Sequence, residues 1–301
     1  MTRRDFFQLV TAISAAGAAL SYRSLAAPAA EPRKRKIKKG FWYAAAPGNS
    51  PLEKFKAIKD AGFEGVEPPS HLNREEVLRA RDETGLAIPS VSCGQHSRGL
   101  SSASTSDRAQ AVEGIRHALQ DAKLYGATSV LVVPGRVTAE ISYDAVYQHT
   151  QEELRKVVPL AEELGVKLAF ENVWNNFLLS PMEAARYVDE FNSPAVGWQF
   201  DVGNILYLGW PEHWIRILGR RILKVHIKEF SRKKANEEGL RQGFAVEFTE
   251  GDCNWPAVMK ALDDIGYSGW AIVEPAWKPK DVDEVERLRK IADKVDKILA
   301  L

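Results

Sequence analysis

Only two of the 301 residues are cysteines, Cys93 and Cys253, which rules out a disulfide framework. They read as two isolated core thiols, with one bridge between them as the alternative. An excess of either charge is missing too. Lys and Arg number 41 against 40 Asp and Glu, a formal charge of +1 at pH 7, so no global field attracts nucleic acid. A Gly-x-Gly-x-x-Gly loop after the first strand-like run is lacking, and with it the signature of a dinucleotide-binding sheet. Near the N-terminus the apolar run is too short for the ~20 residues that span a bilayer. What is present is core material: 45% of the chain is hydrophobic, ample for a large interior.

That apolar run, Leu9 to Leu20, follows Thr2-Arg3-Arg4-Asp5-Phe6-Phe7 and precedes Ala26-Ala27-Pro28-Ala29-Ala30. Charged, apolar and small segments in this order make an export signal. The paired arginines followed by Phe resemble a twin-arginine leader. Residues 1–30 are therefore expected to be removed, leaving no stable membrane anchor and an exported, periplasmic chain. Residues 31–39, rich in Lys and Arg, read as a solvated linker, and 40–301 as one catalytic domain.

From Lys38 onward, short β-rich runs alternate with longer amphipathic ones. Strands are expected at Lys38–Tyr43, Gly65–Glu67, Ala87–Cys93, Ser129–Val133, Val166–Glu171, Val196–Asp201, Leu223–Lys228 and Trp270–Glu274. Helical patterns fall at 52–61, 73–84, 107–125, 142–164, 181–190, 211–219 and 255–265, with a closing helix over roughly 282–300. Several joints carry the glycine expected after a helix C-terminus: Gly62, Gly85, Gly126, Gly165 and Gly266. Eight strand–helix units in one chain predict an α/β fold, the (β/α)8 TIM barrel, with a doubly wound sheet as the alternative.

A barrel builds its active site at the C-terminal ends of its strands. Those tips carry Glu67, Glu171, Asp201, His226 and Glu274, with Lys228 and Glu229 following the histidine. One carboxylate at a tip is ordinarily a helix cap or an ion-pair partner, and one histidine flanked by Val225 and Ile227 is ordinarily core. Glu171, Asp201, His226 and Glu274 on four consecutive tips are another matter. Carboxylates converging in a low-dielectric mouth repel one another, and a divalent cation removes that repulsion. Three carboxylates and one imidazole form a mostly hard-oxygen set, suited to Mn²⁺, with Mg²⁺ or Co²⁺ as substitutes, rather than to zinc.

The stretches GFEGVE, LAFENVWNN, QFDVGNILYLGWPEHWIRILGRRILKVHIKEF and TEGDCNWPAVMKALDDIGYSGWAIVEP resemble the sugar phosphate isomerase/epimerase superfamily. These are xylose isomerase-like TIM barrels that include ketose 3-epimerases, hydroxypyruvate isomerases and inosose dehydratases. The resemblance covers residues 40 to about 298. It implies one divalent ion held by Glu171, Asp201, His226 and Glu274, with Glu171 and Glu274 also shuttling protons on opposite faces of the sugar. Two positions depart from the ketose 3-epimerase pattern. Asn204 stands where a histidine is usual, and Lys228 where an arginine is common, so the substrate carries over less firmly than the metal. The same superfamily houses endonuclease IV-like nucleases, but six histidines and a near-zero charge argue against a histidine-rich zinc cluster on a basic face.

The expected chemistry is isomerisation or epimerisation of a free keto sugar by proton transfer through an enediolate. If a leaving group lies β to the enediolate, the same site becomes a lyase or dehydratase acting on a keto-sugar or keto-glycoside. A non-catalytic sugar- or metal-binding barrel ranks below both. Substrate contacts are expected from Glu67, His96, Asn172, Trp174, Asn204, Lys228 and Arg241, the last in a long strand-7 loop able to act as a lid. Partners are a small-molecule carbohydrate and, if any protein, further copies of the chain.

Overall fold

Eight parallel strands alternate with helices along the computed structural model, which describes residues 36–278 and 282–301. The expected leader and residues 31–35 lie outside the described residues. The strands are β1 (Ile37–Trp42), β2 (Gly65–Glu67), β3 (Ser90–Ser92), β4 (Ser129–Val132), β5 (Lys167–Glu171), β6 (Val196–Asp201), β7 (Ile222–Ile227) and β8 (Gly269–Val273). Ladders run in the order β2-β1-β8-β7-β6-β5-β4-β3. Two isolated parallel bridges, Gly65 with Ala87 and Pro69 with Ser92, join β2 to β3 and nearly close the barrel. Strand β1 starts at Ile37, so residues 37–39 belong to the barrel and not to a linker.

The helices are α1 (Pro51–Asp60), α2 (Arg74–Thr84), α3 (Thr105–Tyr125), α4 (Tyr143–Arg155), α5 (Val158–Leu164), α6 (Pro181–Asp189), α7 (Pro211–Leu218), α8 (Arg232–Glu238), α9 (Trp255–Asp264) and α10 (Glu284–Leu299). Side-chain caps start many of them: Ser50 accepts from Glu53 N–H, Asn73 from Glu76 N–H and Ser104 from Asp107 N–H. The five glycines expected at helix ends all have positive φ. Among the described residues no helix is long and apolar enough to cross a membrane.

Proline explains two departures from the sequence reading. The expected helix over 142–164 is two helices, because Pro159 has no N–H to give the carbonyl of Arg155, where α4 ends. The expected strand Ala87–Cys93 shrinks to Ser90–Ser92, because Pro89 lacks a ladder donor. A third departure is α8, capped by Ser231, in a segment expected to be loop.

Side chains two apart share a face of a strand. In β6 that pairs Gln199 with Asp201; in β7, Lys224 with His226; in β5, Ala169 with Glu171. The alternate positions Phe170, Trp198, Phe200 and Val225 are fully buried in the hydrophobic core. Burying each contributes about 1.5–3 kcal/mol, which anchors the strands and fixes which face carries the polar row. Asp201 and His226 are direct register partners across β6 and β7, next to a register shift at Trp198/Gln199.

Candidate metal and active site

Four strand ends converge at the mouth. Glu171 ends β5, Asp201 ends β6, and His226 lies one residue before the end of β7. Glu274 follows β8, its N–H still donating to Ile227 O at 3.0 Å. One ligand atom from each of the four lies within 4.8 Å of all the others. That spread suits donors arranged around one ion with bonds of about 2.1–2.4 Å.

The centre of the cluster is His226, 1% exposed. Its Nδ1 is 2.9 Å from Glu171 Oε1, 3.2 Å from Glu274 Oε2 and 3.8 Å from Asp201 Oδ2. Despite this crowding, His226 Nδ1 and Asp201 Oδ2 are buried without an aligned hydrogen bond. Donor atoms that crowd together, two of them lacking an aligned hydrogen bond, point at a shared centre, and the three-carboxylate, one-imidazole set fits a divalent, oxygen-preferring cation. The residues therefore fit the metal that the sequence implied.

The other ring nitrogen is fixed from below. His226 Nε2 lies 3.1 Å from Glu67 Oε1, and Gln199 Nε2 donates to Glu67 Oε2 at 2.9 Å. Ser90 Oγ donates to the same oxygen. A carboxylate behind the imidazole fixes its orientation and tautomer, leaving Nδ1 for a metal. Gln199 Nε2 also stands 2.6 Å from His226 Nε2 while its Oε1 has no partner, so the amide's orientation is tied to the imidazole proton.

Charge follows the same geometry. Burial would lower His226, but Glu67, Asp201 and Glu171 raise it well above 6.5. Without a cation, the imidazole proton takes the place of positive charge. Burial pushes Glu171 up to about 7, helped by Glu274 and Asp201 and opposed by His226. Against burial, Lys228 and His226 hold Glu274 down to about 2. Burial would likewise raise Glu67, but His226, Ser90 and Gln199 keep it below the usual carboxylate range.

Glu171, His226 and Glu274 line a cavity of about 1030 Å³, which Trp174, His96 and Arg241 also line. Asn204 and Lys228 line an adjoining cavity of about 550 Å³ with Trp174, Arg241 and Glu274. Three expected substrate contacts have other work. Glu67 is fully buried under His226, away from the cavity. Asn172 is consumed as a strut: its Nδ2 donates to Asp201 O (2.7 Å), and its Oδ1 accepts from Asp201 N–H and Trp198 Nε1–H (3.0 Å each). Lys228 is paired with Glu274 (2.8 Å) and faces Asp201 (3.5 Å). Asn204 donates its N–H to Asp201 Oδ1 (2.8 Å) and its Nδ2 to Asn172 O (2.9 Å), leaving only its amide oxygen for a ligand.

Sequence reasoning missed Gln199 and Ser90, which gave no signal except their period-two spacing from tip residues. It also missed a second group, His71, His117 and Asp121. There the Arg74 guanidinium already occupies Asp121 Oδ1 at 2.6 Å, so an ion pair stands where a cation would sit. Both cysteines are free, Cys93 buried and Cys253 partly so.

Residues 55–296 match the xylose isomerase-like TIM barrel family, and the chain belongs to it. The chain is 27% identical over 163 residues to an inosose dehydratase of Clostridium perfringens, an alignment covering 48% of this chain and 54% of that protein. It thus spans about half the length of that curated relative. Among solved structures it is similar to the 3-keto-D-glucoside 4-epimerase from E. coli, with a TM-score of 0.74 and 20% identity, covering 88% of this chain and all 100% of the other. A D-psicose 3-epimerase crystallised in the presence of D-fructose gives a TM-score of 0.73 at 16% identity, covering 87% and 98%. At these identities the solved structures establish the fold.

Proposed function

We propose that the protein is a divalent-metal-dependent isomerase or epimerase of a keto sugar, working by proton transfer through an enediolate. The observation that carries this reading is the pair Glu171 and Glu274. They come from strands separated by β6 and β7, flank His226 Nδ1 at 2.9 and 3.2 Å, and face one cavity. Glu171, Asp201, His226 and Glu274 would hold a divalent cation, Mn²⁺ by preference, whose positive charge would favour the developing enediolate. The remaining work falls to side chains. Glu171 takes the proton next to the carbonyl, and Glu274 returns one from the other side. Lys228 and Asn204 hold Glu274 and Asp201 in place through the contacts given above. Trp174, fixed by Nε1–H donation to Asn204 O at 2.8 Å, offers a flat apolar wall to the sugar ring.

The second reading is a lyase that expels a β-leaving group from a keto-sugar or keto-glycoside. Its support is the relationship to inosose dehydratases and the size of the cavity, which has room for a leaving group. One experiment separates the readings: Mn²⁺-loaded protein is incubated in D₂O with a panel of ketohexoses and keto-glycosides and followed by NMR. Deuterium appearing at a carbon next to the carbonyl supports the isomerase or epimerase. Release of the aglycone or of water with a new enone supports the lyase. No exchange with any member would leave a non-catalytic binding barrel.

A further inference from the structure

Above the acidic floor, the wall of the main cavity is basic. Arg98, Arg136 and Arg241 line it, and among the described residues none of the three guanidiniums has a hydrogen bond or ion pair. All three are exposed, and Arg220 and Arg289, exposed elsewhere, are likewise unpaired among the described residues; Arg108 pairs with Glu153, Arg221 with Asp189 and Arg287 with Glu284, so what sets the three apart is the cavity they share.

Two of the three stand on loops stapled to each other. Arg98 opens the turn Arg98–Ser101 after β3, and Arg136 lies in the loop after β4. Ser101 Oγ accepts from Arg136 N–H at 3.0 Å and donates to Arg136 O at 3.2 Å. Beside it, Gly135 has φ +146°, and a Cβ there would come within 2.8 Å of Thr150 and 3.2 Å of Ser101. Backbone packing, not side-chain pairing, thus brings the two arginines to one wall. Both also line a second cavity of about 580 Å³ that shares Gln95 and His96 with the main one. Asp107 lies on that second wall too, where its Oδ2 accepts from Ser102 Oγ at 2.8 Å.

Pockets that enclose drug-sized ligands run to about 300–1,000 Å³. The main cavity alone reaches the top of that range, so a single sugar ring over Glu171 and Glu274 leaves the β3–β4 side unfilled. Guanidiniums match the paired oxygens of carboxylate and phosphate, and bind them through charge-assisted hydrogen bonds. A neutral polyol needs no such pair. We infer that the substrate is an acidic sugar derivative, its anionic group held by Arg98 and Arg136 while its reacting carbons lie over Glu171 and Glu274. This inference rests on the keto-sugar reading and names its substrate class. Arg241 comes from the loop after β7, four strands around the barrel from β3, and faces the same space from the opposite side.

The test uses the Mn²⁺-loaded full chain and calorimetric binding of matched pairs. Fructuronate against fructose places a carboxylate on the keto sugar. Fructose 6-phosphate against fructose places a phosphate there. A 4-carboxyphenyl 3-keto-glucoside against its methyl ester places the acid on the aglycone. The expected result is that at least one acidic member binds about tenfold or more tightly than its neutral mate, the scale of a charged hydrogen bond. That preference should vanish in R98A/R136A, with neutral-sugar affinity and metal content unchanged. S101A, which cuts the staple but keeps both guanidiniums, should lose part of it. Equal binding within every pair, or a preference that survives R98A/R136A, overturns the inference while metal-dependent binding of neutral sugars leaves the proposed function standing. Absence of any sugar binding to metal-loaded protein overturns the proposed function, and the inference with it.

Discussion

Glu67 and His226, 159 residues apart in the chain, meet inside the barrel with Oε1 3.1 Å from Nε2. The buried carboxylate lines none of the cavities described above, yet it orients the one imidazole of the cluster. Glu67→Gln keeps the shape but sets an amide NH₂ against the donors of Ser90 and Gln199. Metal affinity should fall about 10–100-fold, the usual cost of losing such a support. Chelator competition measures it; unchanged affinity would make Glu67 a purely structural group.

Asp201→Ala should abolish stoichiometric metal binding. Asp201 Oδ2 is one of two cluster atoms without a hydrogen bond, and the change leaves three side chains to hold the ion. Elemental analysis of the purified variant decides it, and full occupancy would remove Asp201 from the ligand set.

Glu171→Gln separates ligation from proton transfer. The amide oxygen still faces the cluster, so metal affinity should drop without vanishing. Gln accepts no proton, and losing one positioned acid/base group lowers turnover by ~10²–10⁴. Measuring kcat, metal content and Tm together distinguishes this from a helix cap or surface pair, whose loss would cost about 1 kcal/mol of stability and spare kcat.

The metal-free protein should lose stability as pH rises. His226 is raised above 6.5 on folding, so its contribution is full below that value and disappears as pH climbs through the folded pKa. Glu171, raised from 4.5 to about 7, works in the same direction, becoming a burden as it ionises between those values. Glu274, held at about 2, adds stability above 4.5 that is lost only near pH 2, outside this window. Bound metal replaces the proton, so the Tm gain from Mn²⁺ should grow from pH 5 to 9. Differential scanning fluorimetry at stepped pH checks this; a pH-independent gain would mean the ion binds elsewhere.

The proposed export of the chain is tested at its N-terminus. Protein taken from the native envelope fraction should begin near Ala27 to Glu31, and an intact Met1 in the soluble cytoplasm would refute it.

Much of the site was legible because strand tips are legible. The alternation of short β-rich runs with amphipathic stretches and the glycine stops marked the eight units, and the barrel then said which residues to read. What escaped were partnerships between side chains far apart in sequence. Nothing local distinguishes Glu67, spent beneath His226, from a carboxylate facing substrate, because both end a short apolar strand. Asn172 adjoins Glu171, yet its amide is used up by Asp201 and Trp198, contacts set by how β5 lies against β6. Pro159 and Pro89 were in plain view, and their missing N–H groups account for the split helix and the shortened strand. Arg98 and Arg136 carry no motif at all; contacts such as those of Ser101 and of Ser97 with Val133 bring their loops together.

Glu229 gives the segment after β7 a property beyond shape. Its Oε1 accepts the N–H groups of Phe230 (3.1 Å) and Cys253 (3.2 Å), and its Oε2 those of Thr249 (3.0 Å) and the Trp255 indole (2.8 Å). Gly251 packs so closely that a Cβ would lie 2.5 Å from Oε1. One buried carboxylate thus ties both ends of a segment of some two dozen residues, including α8 and the turn bearing Arg241. Such a segment cannot fray residue by residue. It opens as one cooperative unit, so the Phe230, Thr249 and Cys253 amides should exchange with solvent at a common opening free energy, and Glu229→Gln should lower it for all three together.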